Sequence, residues 1–416
     1  MAWFRTFLKS GHPPTLFCSF LYFDFCFAVW VLNGAMAPFI SEAFHLSATQ
    51  KGFMLSVPIM SGALLRFPLG VLSQYIGRKN AALLEMGVIM LGLAWGYLMV
   101  DSYEKVLMMG VLLGIAGASF GVALSLGGGW FPPKYKGLAI GIAGAGNSGA
   151  VIAVLFAPPL AIAYGWRNVY GMAILMMAVP FVLMMLLAKE PPDREKKTLG
   201  AVLKVLVEKD AWVFNISYIL TFGGYIGFTM FLPTLFADGY GISKKTMGQW
   251  SAPIIVMASV TRVLGGWLAD KFGGLNNMLF VCIGVTVLSL IASMMPPLWM
   301  MAVILFLIFC LLGAGNGSTF QLVPHRWPLT TAIAMSLIGE VGALGGSLIP
   351  NTMGLSKKYY GTFGGGFLLW AVIGLGICIM YVVMGKRWTS AWVGKGGRAL
   401  TDEERAQRIR DGLISV

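Results

Sequence analysis

Apolar residues along this chain cluster in long runs that are separated by short polar segments. There are twelve such runs, each near the roughly 20 mostly apolar residues that a helix needs to cross a bilayer. They fall near residues 17–40, 52–72, 81–100, 106–130, 137–160, 168–188, 212–236, 247–268, 277–296, 299–323, 330–350 and 363–385. The pattern predicts an all-α membrane protein with twelve transmembrane helices.

One long polar segment separates the first six runs from the last six. Residues 189–210 contain eleven charged residues in 22. The sequence therefore predicts a cytoplasmic N-terminal tail, an N-terminal six-helix half, a cytoplasmic linker, a C-terminal six-helix half and a cytoplasmic tail, at 1–14, 15–188, 189–211, 212–385 and 386–416. The Ala35-Met36-Ala37 sequence imitates a signal-peptidase site, but eleven further runs favour an uncleaved first helix.

The composition excludes most soluble functions. Hydrophobic residues make up 57% of the chain and charged residues 11%, whereas soluble proteins carry about a quarter charged residues. The five cysteines are scattered through apolar runs and there are three histidines, so no disulfide framework or metal-ligand spacing is present. No Ser/His/Asp, metal or nucleotide constellation indicates an enzyme. We expect no catalytic residues, no metal and no cofactor.

The net charge of +13 is distributed over loops. With both termini inside, cytoplasmic segments hold 21 of the 30 lysines and arginines, outside loops hold seven, and two lie within apolar runs. Basic residues concentrate on the cytoplasmic side of membrane proteins. The charge therefore predicts a multi-pass protein of the cytoplasmic (inner) membrane with cytoplasmic termini, and no nucleic-acid partner.

The two halves contain an internal repeat. The segment Arg66–Gly77 aligns with Arg262–Gly273 at an offset of 196 residues, and the same offset maps Gly146 onto Gly342. Because six helices separate the copies, both enter the membrane with the same polarity. A parallel repeat about the membrane normal is the arrangement of major-facilitator halves, so we predict two pseudo-symmetric six-helix halves with that fold.

The loop after the second helix is similar to the gate motif of that superfamily. Gly70, Gly77 and Arg78 occupy motif positions in the first copy, and Gln74 replaces the usual acid. The second copy keeps an acid, Asp270. The motif indicates a transporter and carries no information about the substrate.

Two arginines carry the strongest chemical signal. Arg66 and Arg262 lie at repeat-related positions in apolar runs, where each costs roughly 2.5–3.5 kcal/mol on insertion scales. A guanidinium donates two parallel hydrogen bonds to a planar oxyanion and stays ionised. The pair predicts a small planar anion: nitrate, nitrite or a carboxylate. The alternative is structural pairing with Asp24, Glu85 or Glu340.

The fifth run contains a glycine-rich stretch with one polar side chain. Gly144, Gly146 and Gly149 surround Asn147, and Asn316 lies in a similar stretch of the tenth run. The spacing matches a dinucleotide-binding pattern, but that pattern requires a preceding strand. Small residues instead allow close helix approach in membranes. We take both asparagines as candidate substrate contacts in a lined cavity, with glycine packing alone as the alternative.

Aromatic residues recur at related positions. Phe120 and Phe320 each end a Gly-x-x-Phe sequence, and two flat rings would form a slot that suits a planar ion. Tyr218, Phe222 and Tyr225 share one stripe of the seventh helix. A tyrosine hydroxyl in hydrocarbon needs a partner, and an anion is one candidate. Ordinary packing is the alternative for the phenylalanines.

These features together resemble a known family. Arg66 with Arg262, the stretch 144–149, and segments 222–228, 315–324 and 342–350 resemble the nitrate/nitrite porter family, and in particular bacterial assimilatory nitrate transporters, from about Gly11 to Leu355. The resemblance implies a nitrate site between the halves. In it Arg66 and Arg262 would clamp the ion, Asn147 and Tyr218 would hydrogen-bond to it, and Phe120 and Phe320 would sandwich it.

Coupling is the remaining question. Nitrate entering a negative cell works against about 2.3 kcal/mol per 100 mV, so uptake requires protons or exchange for an internal anion. Asp24 and Glu340, and with less support Glu85, are candidate proton carriers; Glu340 departs from the small neutral residue typical of the family. We predict a secondary active transporter that takes up nitrate, with nitrite as a second substrate, by alternating access and proton symport. We expect a monomer in the lipid bilayer whose partners are nitrate or nitrite and protons.

Three alternatives stay open. A nitrate/nitrite antiporter needs no titratable group. A major-facilitator carrier of small carboxylates would also use two arginines. A sensor that no longer transports would bind nitrate without accumulating it.

Overall fold

A computed structural model describes residues 2–192, 205, 207–327 and 331–411. These residues are overwhelmingly helical and include no strand, which confirms the predicted all-α class. Parts of four predicted segments lie outside the described residues: Met1 of the N-terminal tail, 193–204 and 206 of the linker, 328–330 of the C-terminal half, and 412–416 of the C-terminal tail.

Nine α-helices precede the linker in the described chain. They are α1 Ala2–Lys9, α2 Pro13–Ala43, α3 Ala48–Ile76, α4 Arg78–Leu98, α5 Tyr103–Gly114, α6 Ser119–Gly128, α7 Pro133–Gly144, α8 Gly149–Tyr164 and α9 Trp166–Leu187. Short 3₁₀ turns, Ile115–Ala118 and Ala145–Ser148, join α5 to α6 and α7 to α8.

Nine more α-helices follow the linker within the described residues. They are α10 Lys209–Tyr218, α11 Gly224–Thr234, α12 Met247–Phe272, α13 Gly274–Ser293, α14 Leu298–Arg326, α15 Thr331–Gly345, α16 Leu348–Tyr360, α17 Gly364–Ala391 and α18 Asp402–Arg410. Two π-helical segments, Ile219–Gly223 and Leu235–Gly239, follow α10 and α11, and a 3₁₀ turn, Lys395–Gly397, precedes α18.

Each predicted run is helical over most of its described residues, and eleven helical stretches of the described chain are long and apolar enough to cross a membrane. The eleventh run differs, because it is divided between α15 and α16 at Gly346 and Ser347. Gly346 lies so close to the π-helical segment Ile219–Gly223 that an added Cβ would come within 2.7 Å of the Gly223 carbonyl. Glycine is a poor helix former, and the helix is interrupted at this close approach.

The chain divides into two compact units. The first comprises Met1–Thr198 and Gly227–Ala252, and the second comprises Leu199–Ile226 and Pro253–Val416. In the first unit, α2 is the central helix and packs against α3, α6, α7, α8 and α9. In the second, α13 packs against α14 and α17. Each unit thus has its own buried core.

A buried polar network anchors the start of α10 in the second unit. Asp210 accepts a hydrogen bond from Trp388 Nε1 at 2.8 Å on one carboxylate oxygen and from Arg326 Nε at 2.7 Å on the other. Phe214, one turn along, stacks on the Trp388 ring with centroids 4.9 Å apart. The carboxylate therefore satisfies two donors that would otherwise be partly buried without an acceptor.

The repeated motif loops share one backbone conformation. Gly77 has φ +91° and Gly273 has φ +95°, in the region that side chains with a Cβ rarely adopt. In the first unit the carboxylate of Glu190 accepts hydrogen bonds from the backbone N–H groups of Arg78 at 2.8 Å and Lys79 at 2.9 Å. Glu190 thereby caps the positive N-terminal end of α4.

Candidate functional site

Arg66 is the buried cation of the first unit. Its side chain lies on α3 and is 6% exposed. Nε donates a hydrogen bond to the Gly117 carbonyl at 2.8 Å. Cζ lies 5.4 Å from the ring centroid of Trp30 and 5.7 Å from that of Phe120. Both distances fall within the roughly 6 Å range of a cation–π interaction, so the guanidinium plane is held by one backbone acceptor and two aromatic rings.

Glycines make this arrangement sterically feasible. A Cβ added to Gly62 would come within 2.5 Å of the Gly114 carbonyl and 2.9 Å of Trp30 Nε1. A Cβ added to Gly117 would overlap the Trp30 indole. Trp30 is itself fixed by a hydrogen bond from Nε1 to the Pro58 carbonyl at 2.8 Å. The 3₁₀ turn that contains Gly117 therefore approaches α2 and α3 closely enough for its carbonyl to meet Arg66.

The glycine-rich stretch around Asn147 packs against α2. An added Cβ at Gly146 would lie 2.7 Å from the Asp24 backbone nitrogen, and one at Gly149 would overlap the Asp24 carbonyl. The Asp24 carboxylate accepts a hydrogen bond from Ser148 Oγ at 2.7 Å. Asn147, in the same 3₁₀ turn, is buried. The stretch thus combines close helix approach with polar contacts. A Cβ added to Gly144 would lie 3.2 Å from the Leu124 side chain.

The second unit pairs its arginine with a phenylalanine in the same way. Arg262 Cζ lies 5.4 Å from the Phe320 ring centroid, and Arg262 is half-buried on α12. Phe320 contacts the ring of Tyr218, with centroids 5.1 Å apart. Tyr218 stacks on Phe222 at 5.4 Å, with the planes 13° apart. A continuous row of aromatic rings therefore extends from Arg262 into the unit.

Tyr218 sits where its helix changes geometry. It is the last residue of α10, and the π-helical segment Ile219–Gly223 follows at once. Such π segments inside α-helices are frequent at functional sites. A Cβ added to Gly342 would come within 2.5 Å of the Tyr218 ring. The glycine therefore lets α15 approach the buried tyrosine, which is 1% exposed.

Asn316 contributes a buried polar group to the same unit. It lies on α14 with 3% of its surface exposed. Among the described residues, its Oδ1 has no hydrogen-bond partner. Buried polar atoms without a partner are uncommon in proteins, so this oxygen needs an explanation.

The remaining predicted residues lie elsewhere in their units. Glu340 is half-buried on α15, Asp270 is exposed near the end of α12, and Gly70 lies in open surroundings on α3. Arg78 donates from Nη1 to the Ser125 carbonyl at 3.0 Å. The first unit thus brings Arg66 together with Phe120, and the second brings Arg262 together with Phe320 and Tyr218.

Sequence reasoning missed three contributors to these sites. Trp30 and the Gly117 carbonyl hold Arg66, and Tyr22 donates a hydrogen bond to Glu85. No sequence signal identifies a backbone acceptor, and one tryptophan among many apolar residues is inconspicuous. For Tyr22 the signal was available, because a hydroxyl and a carboxyl in two apolar runs both require partners.

Comparison with known protein families and solved structures identifies the class of protein to which this chain belongs. Residues 18–350 match the Major Facilitator Superfamily, and the chain belongs to that superfamily of membrane carriers. It is therefore a multi-pass membrane transporter and not an enzyme. The predicted fold is confirmed. A solved bacterial homologue of the human lysosomal transporter Spinster aligns with a TM-score of 0.73 and 18% identity over 90% of this chain and 97% of that one.

A second solved structure agrees with the first. The D-xylose–proton symporter aligns with a TM-score of 0.71 and 16% identity over 88% of this chain and 96% of that chain. At such identities the likeness establishes the fold alone.

Relatives in sequence narrow the assignment to the nitrate/nitrite porter family, as the resemblance predicted. The probable nitrate transporter NarT of Staphylococcus carnosus is 31% identical over 84% of this chain and 90% of its own length. The nitrite extrusion protein of Bacillus subtilis is 28% identical over 86% of this chain and 91% of its length. The probable nitrate/nitrite antiporter NarK1 of Thermus thermophilus is 28% identical over 83% of this chain and 85% of its own length.

Proposed function

We propose that this protein carries nitrate, and nitrite as a second substrate, across the cytoplasmic membrane by alternating access, with uptake coupled to protons. One observation carries the proposal. Each unit holds an arginine within a membrane-spanning helix with its guanidinium against a phenylalanine ring, Arg66 with Phe120 and Arg262 with Phe320.

The chemistry of these pairs favours a small planar anion. An arginine inside a membrane protein is costly, and it commonly marks an ion or substrate pathway. Its fork matches the geometry of planar oxyanions. A flat ring beside the guanidinium suits a flat ion and crowds a tetrahedral one. Tyr218, Asn147 and Asn316 would supply neutral donors that orient the ion.

Relatives support the substrate. Those from Staphylococcus carnosus and Bacillus subtilis carry names that refer to nitrate transport and nitrite extrusion. A carrier of formate or oxalate would use arginines equally well, so competition distinguishes the two classes. Nitrate and nitrite should each compete with nitrate uptake, and formate and oxalate should not.

The membrane potential favours a mechanism in which nitrate uptake is coupled to a second ion. Nitrate uptake into a negative cell is opposed by about 2.3 kcal/mol per 100 mV. One proton per nitrate makes the cycle electroneutral, and Asp24 and Glu340 are candidate carriers. Nitrate/nitrite exchange is the second candidate, because the Thermus thermophilus relative is named an antiporter.

Purified protein in proteoliposomes tests the function. Nitrate uptake is measured with an inside-alkaline pH gradient and no internal anion, and separately with internal nitrite and no gradient. Symport predicts accumulation in the first condition. Uptake restricted to the second condition would establish exchange, and no nitrate uptake in either would reject the proposal.

Topology and assembly belong to the same proposal. The charge distribution supports cytoplasmic termini, and a single chain that carries both six-helix halves is expected to work as a monomer. Reporter fusions at each terminus would report the side of the membrane. Light scattering of the purified protein in detergent would give its mass for comparison with 44.9 kDa for the chain.

A further inference from the structure

Glu85 is a carboxyl group in the interior of a membrane-spanning helix. It lies on α4, within the span Arg78–Leu98, and is 1% exposed. Ionisable residues inside membrane proteins are expensive and usually functional. The anion chemistry proposed above does not use Glu85, so its presence calls for another role.

Its surroundings satisfy the carboxyl incompletely. Tyr22 Oη donates a hydrogen bond to Oε2 of Glu85, and Tyr22 is fully buried on α2. Within the part of the chain that the structure describes, Oε1 of Glu85 has no hydrogen-bond partner. An ionised oxygen buried without a donor is unfavourable by several kcal/mol. A proton on Oε1 removes that charge, so this carboxyl can change protonation without breaking the Tyr22 contact.

Three titratable or charged groups act on Glu85 among the described residues. Tyr22 contacts it from α2, while Cys26, one turn further along α2, and Arg66, on α3, interact with it electrostatically. Ser119, on α6, interacts with Cys26 and carries no charge. Arg66 is therefore the one positive charge in this set, and it is also the proposed anion ligand.

This arrangement links proton binding to anion binding. While Arg66 has no anion, its positive charge stabilises ionised Glu85. An anion at Arg66 cancels that field, so Glu85 then gains a proton more readily. By thermodynamic reciprocity, a protonated Glu85 strengthens anion binding by the same factor. Coupling of this kind requires no contact between the proton carrier and the substrate.

Asp24 is less suited to this task. Its carboxylate accepts hydrogen bonds from Ser148 Oγ at 2.7 Å and from the Gly149 backbone. Both donors lie at the junction of the Ala145–Ser148 turn with α8, and this segment packs against α2. Asp24 therefore has the contacts of a group that pairs helices.

We propose that Glu85 carries the co-transported proton and exchanges it in step with an anion bound at Arg66. This inference rests on the proposed nitrate transport. One proton enters with one nitrate, so the cycle moves no net charge, and no bond other than that of the transferred proton is made or broken.

Glu85→Gln in full-length protein tests the assignment, with Glu104→Gln, at an exposed carboxyl in the first turn of α5, as the matched control. Reconstituted protein is assayed for nitrate accumulation under a pH gradient, for nitrate-dependent proton entry with an internal pH dye, and for nitrate/nitrite exchange without a gradient. Glu85→Gln should lose the first two by about tenfold or more and keep exchange near the wild-type rate. Glu104→Gln should keep all three. Retained exchange also shows that the variant is folded.

A binding measurement on wild-type protein provides a second test that does not depend on the variant. Titration calorimetry in buffers of different ionisation enthalpy, repeated over a range of pH, should detect proton uptake with nitrate binding that rises toward one proton per nitrate at the pH values where unliganded Glu85 is ionised. Proton-coupled accumulation by Glu85→Gln at the wild-type level, or nitrate binding without proton uptake at every pH, would overturn the role of Glu85. Exchange without any proton coupling in wild-type protein would also overturn it, while leaving nitrate transport intact. Only a wild-type protein that moves no nitrate at all would reject the proposed function.

Discussion

Arg66 donates from Nε to the backbone carbonyl of Gly117 at 2.8 Å. A backbone acceptor cannot change its protonation or swing away on a flexible side chain. The contact therefore fixes the plane of the guanidinium relative to the 3₁₀ turn that carries Gly117, between the rings of Trp30 and Phe120. The structure therefore fixes the orientation of the Arg66 guanidinium as well as the position of its charge.

Replacing Arg66 or Arg262 by lysine should weaken nitrate uptake. Lysine keeps the charge but loses the planar fork and its parallel hydrogen bonds. Loss of a charge-assisted hydrogen bond is worth about 1.5–3 kcal/mol, which corresponds to about a 10- to 100-fold higher half-saturating nitrate concentration. Arg167→Lys is the control, because Arg167 is exposed and lies over the Trp166 ring at 5.4 Å. Unchanged affinity in Arg66→Lys would show that charge alone suffices.

Gly117→Ala should disrupt the Arg66 site. The new Cβ overlaps the Trp30 indole, and forced overpacking costs about 1–3 kcal/mol. We expect a lower unfolding temperature of the detergent-solubilised protein and reduced nitrate uptake. Gly121→Ala, one turn further along, is the matched control because its Cβ would have no neighbour within 4 Å. Equal stability of the two variants would contradict the close approach.

Tyr218→Phe tests the hydroxyl and spares the ring. The stack on Phe222 and the contact with Phe320 depend on the ring and should persist. If the hydroxyl donates to the anion, its loss should raise the half-saturating nitrate concentration by about three- to tenfold, since such a bond contributes about 0.5–1.5 kcal/mol. Tyr225→Phe, on the far side of Phe222, should leave it unchanged. A similar change in both variants would argue against direct donation by Tyr218.

His12 should make stability depend on pH on the acid side of neutrality. Its Nδ1 accepts a hydrogen bond from the Thr15 N–H at 3.2 Å and so caps α2, which requires the neutral ring. Burial, and secondarily the nearby Lys189 charge, lower the pKa of His12 below its usual 6.5. Because the folded-state pKa is depressed, the stability from this cap is present above pH 6.5 and is lost as pH falls through the folded-state pKa.

Thermal unfolding between pH 5 and 8 would measure this effect. His12→Asn should keep the cap, since asparagine is a preferred N-cap residue, and should flatten the acid side of the profile. His12→Ala should be less stable than wild type at pH 8 and should approach it at pH 5. An unaltered profile in His12→Asn would assign the pH dependence to other groups.

Asp210→Ala should destabilise the second unit. It removes the acceptor shared by Arg326 Nε and Trp388 Nε1, and a buried donor left without an acceptor costs about 1–3 kcal/mol. Glu208→Ala is the comparison, because Glu208 also accepts from Arg326 and from Trp327 but is more exposed. We expect the larger fall in unfolding temperature for Asp210→Ala. The reverse order would show that the more exposed carboxylate dominates the network.

The sequence predicted the fold well because membrane-spanning helices can be recognised in a sequence as long, uninterrupted apolar runs. It also singled out Arg66, Arg262, Phe120 and Phe320 by their repeat-related positions, and the structure places each arginine beside the phenylalanine of its own unit. Their role in anion binding stays a prediction.

Other features of the structure cannot be predicted from the periodicity of hydrophobic residues. The break at Gly346 and the π-helical segment after Tyr218 both occur where helices approach closely. The hydrogen bond from Arg66 to Gly117 is accepted by a main-chain oxygen. Every residue has such an oxygen, so the sequence does not single out this acceptor. Such details follow from tertiary contacts and not from local composition.

The Glu190 cap changes how the missing loop acid should be understood. Gln74 stands where the motif usually has a carboxylate, yet the negative charge at the start of α4 is supplied from a position 112 residues after Arg78. The sequence of the motif loop alone would suggest that this protein lacks a carboxylate near the start of α4. The start of α4 thus receives its carboxylate from a distant part of the chain, and a mutation at Glu190 would leave the backbone N–H groups of Arg78 and Lys79 without this acceptor.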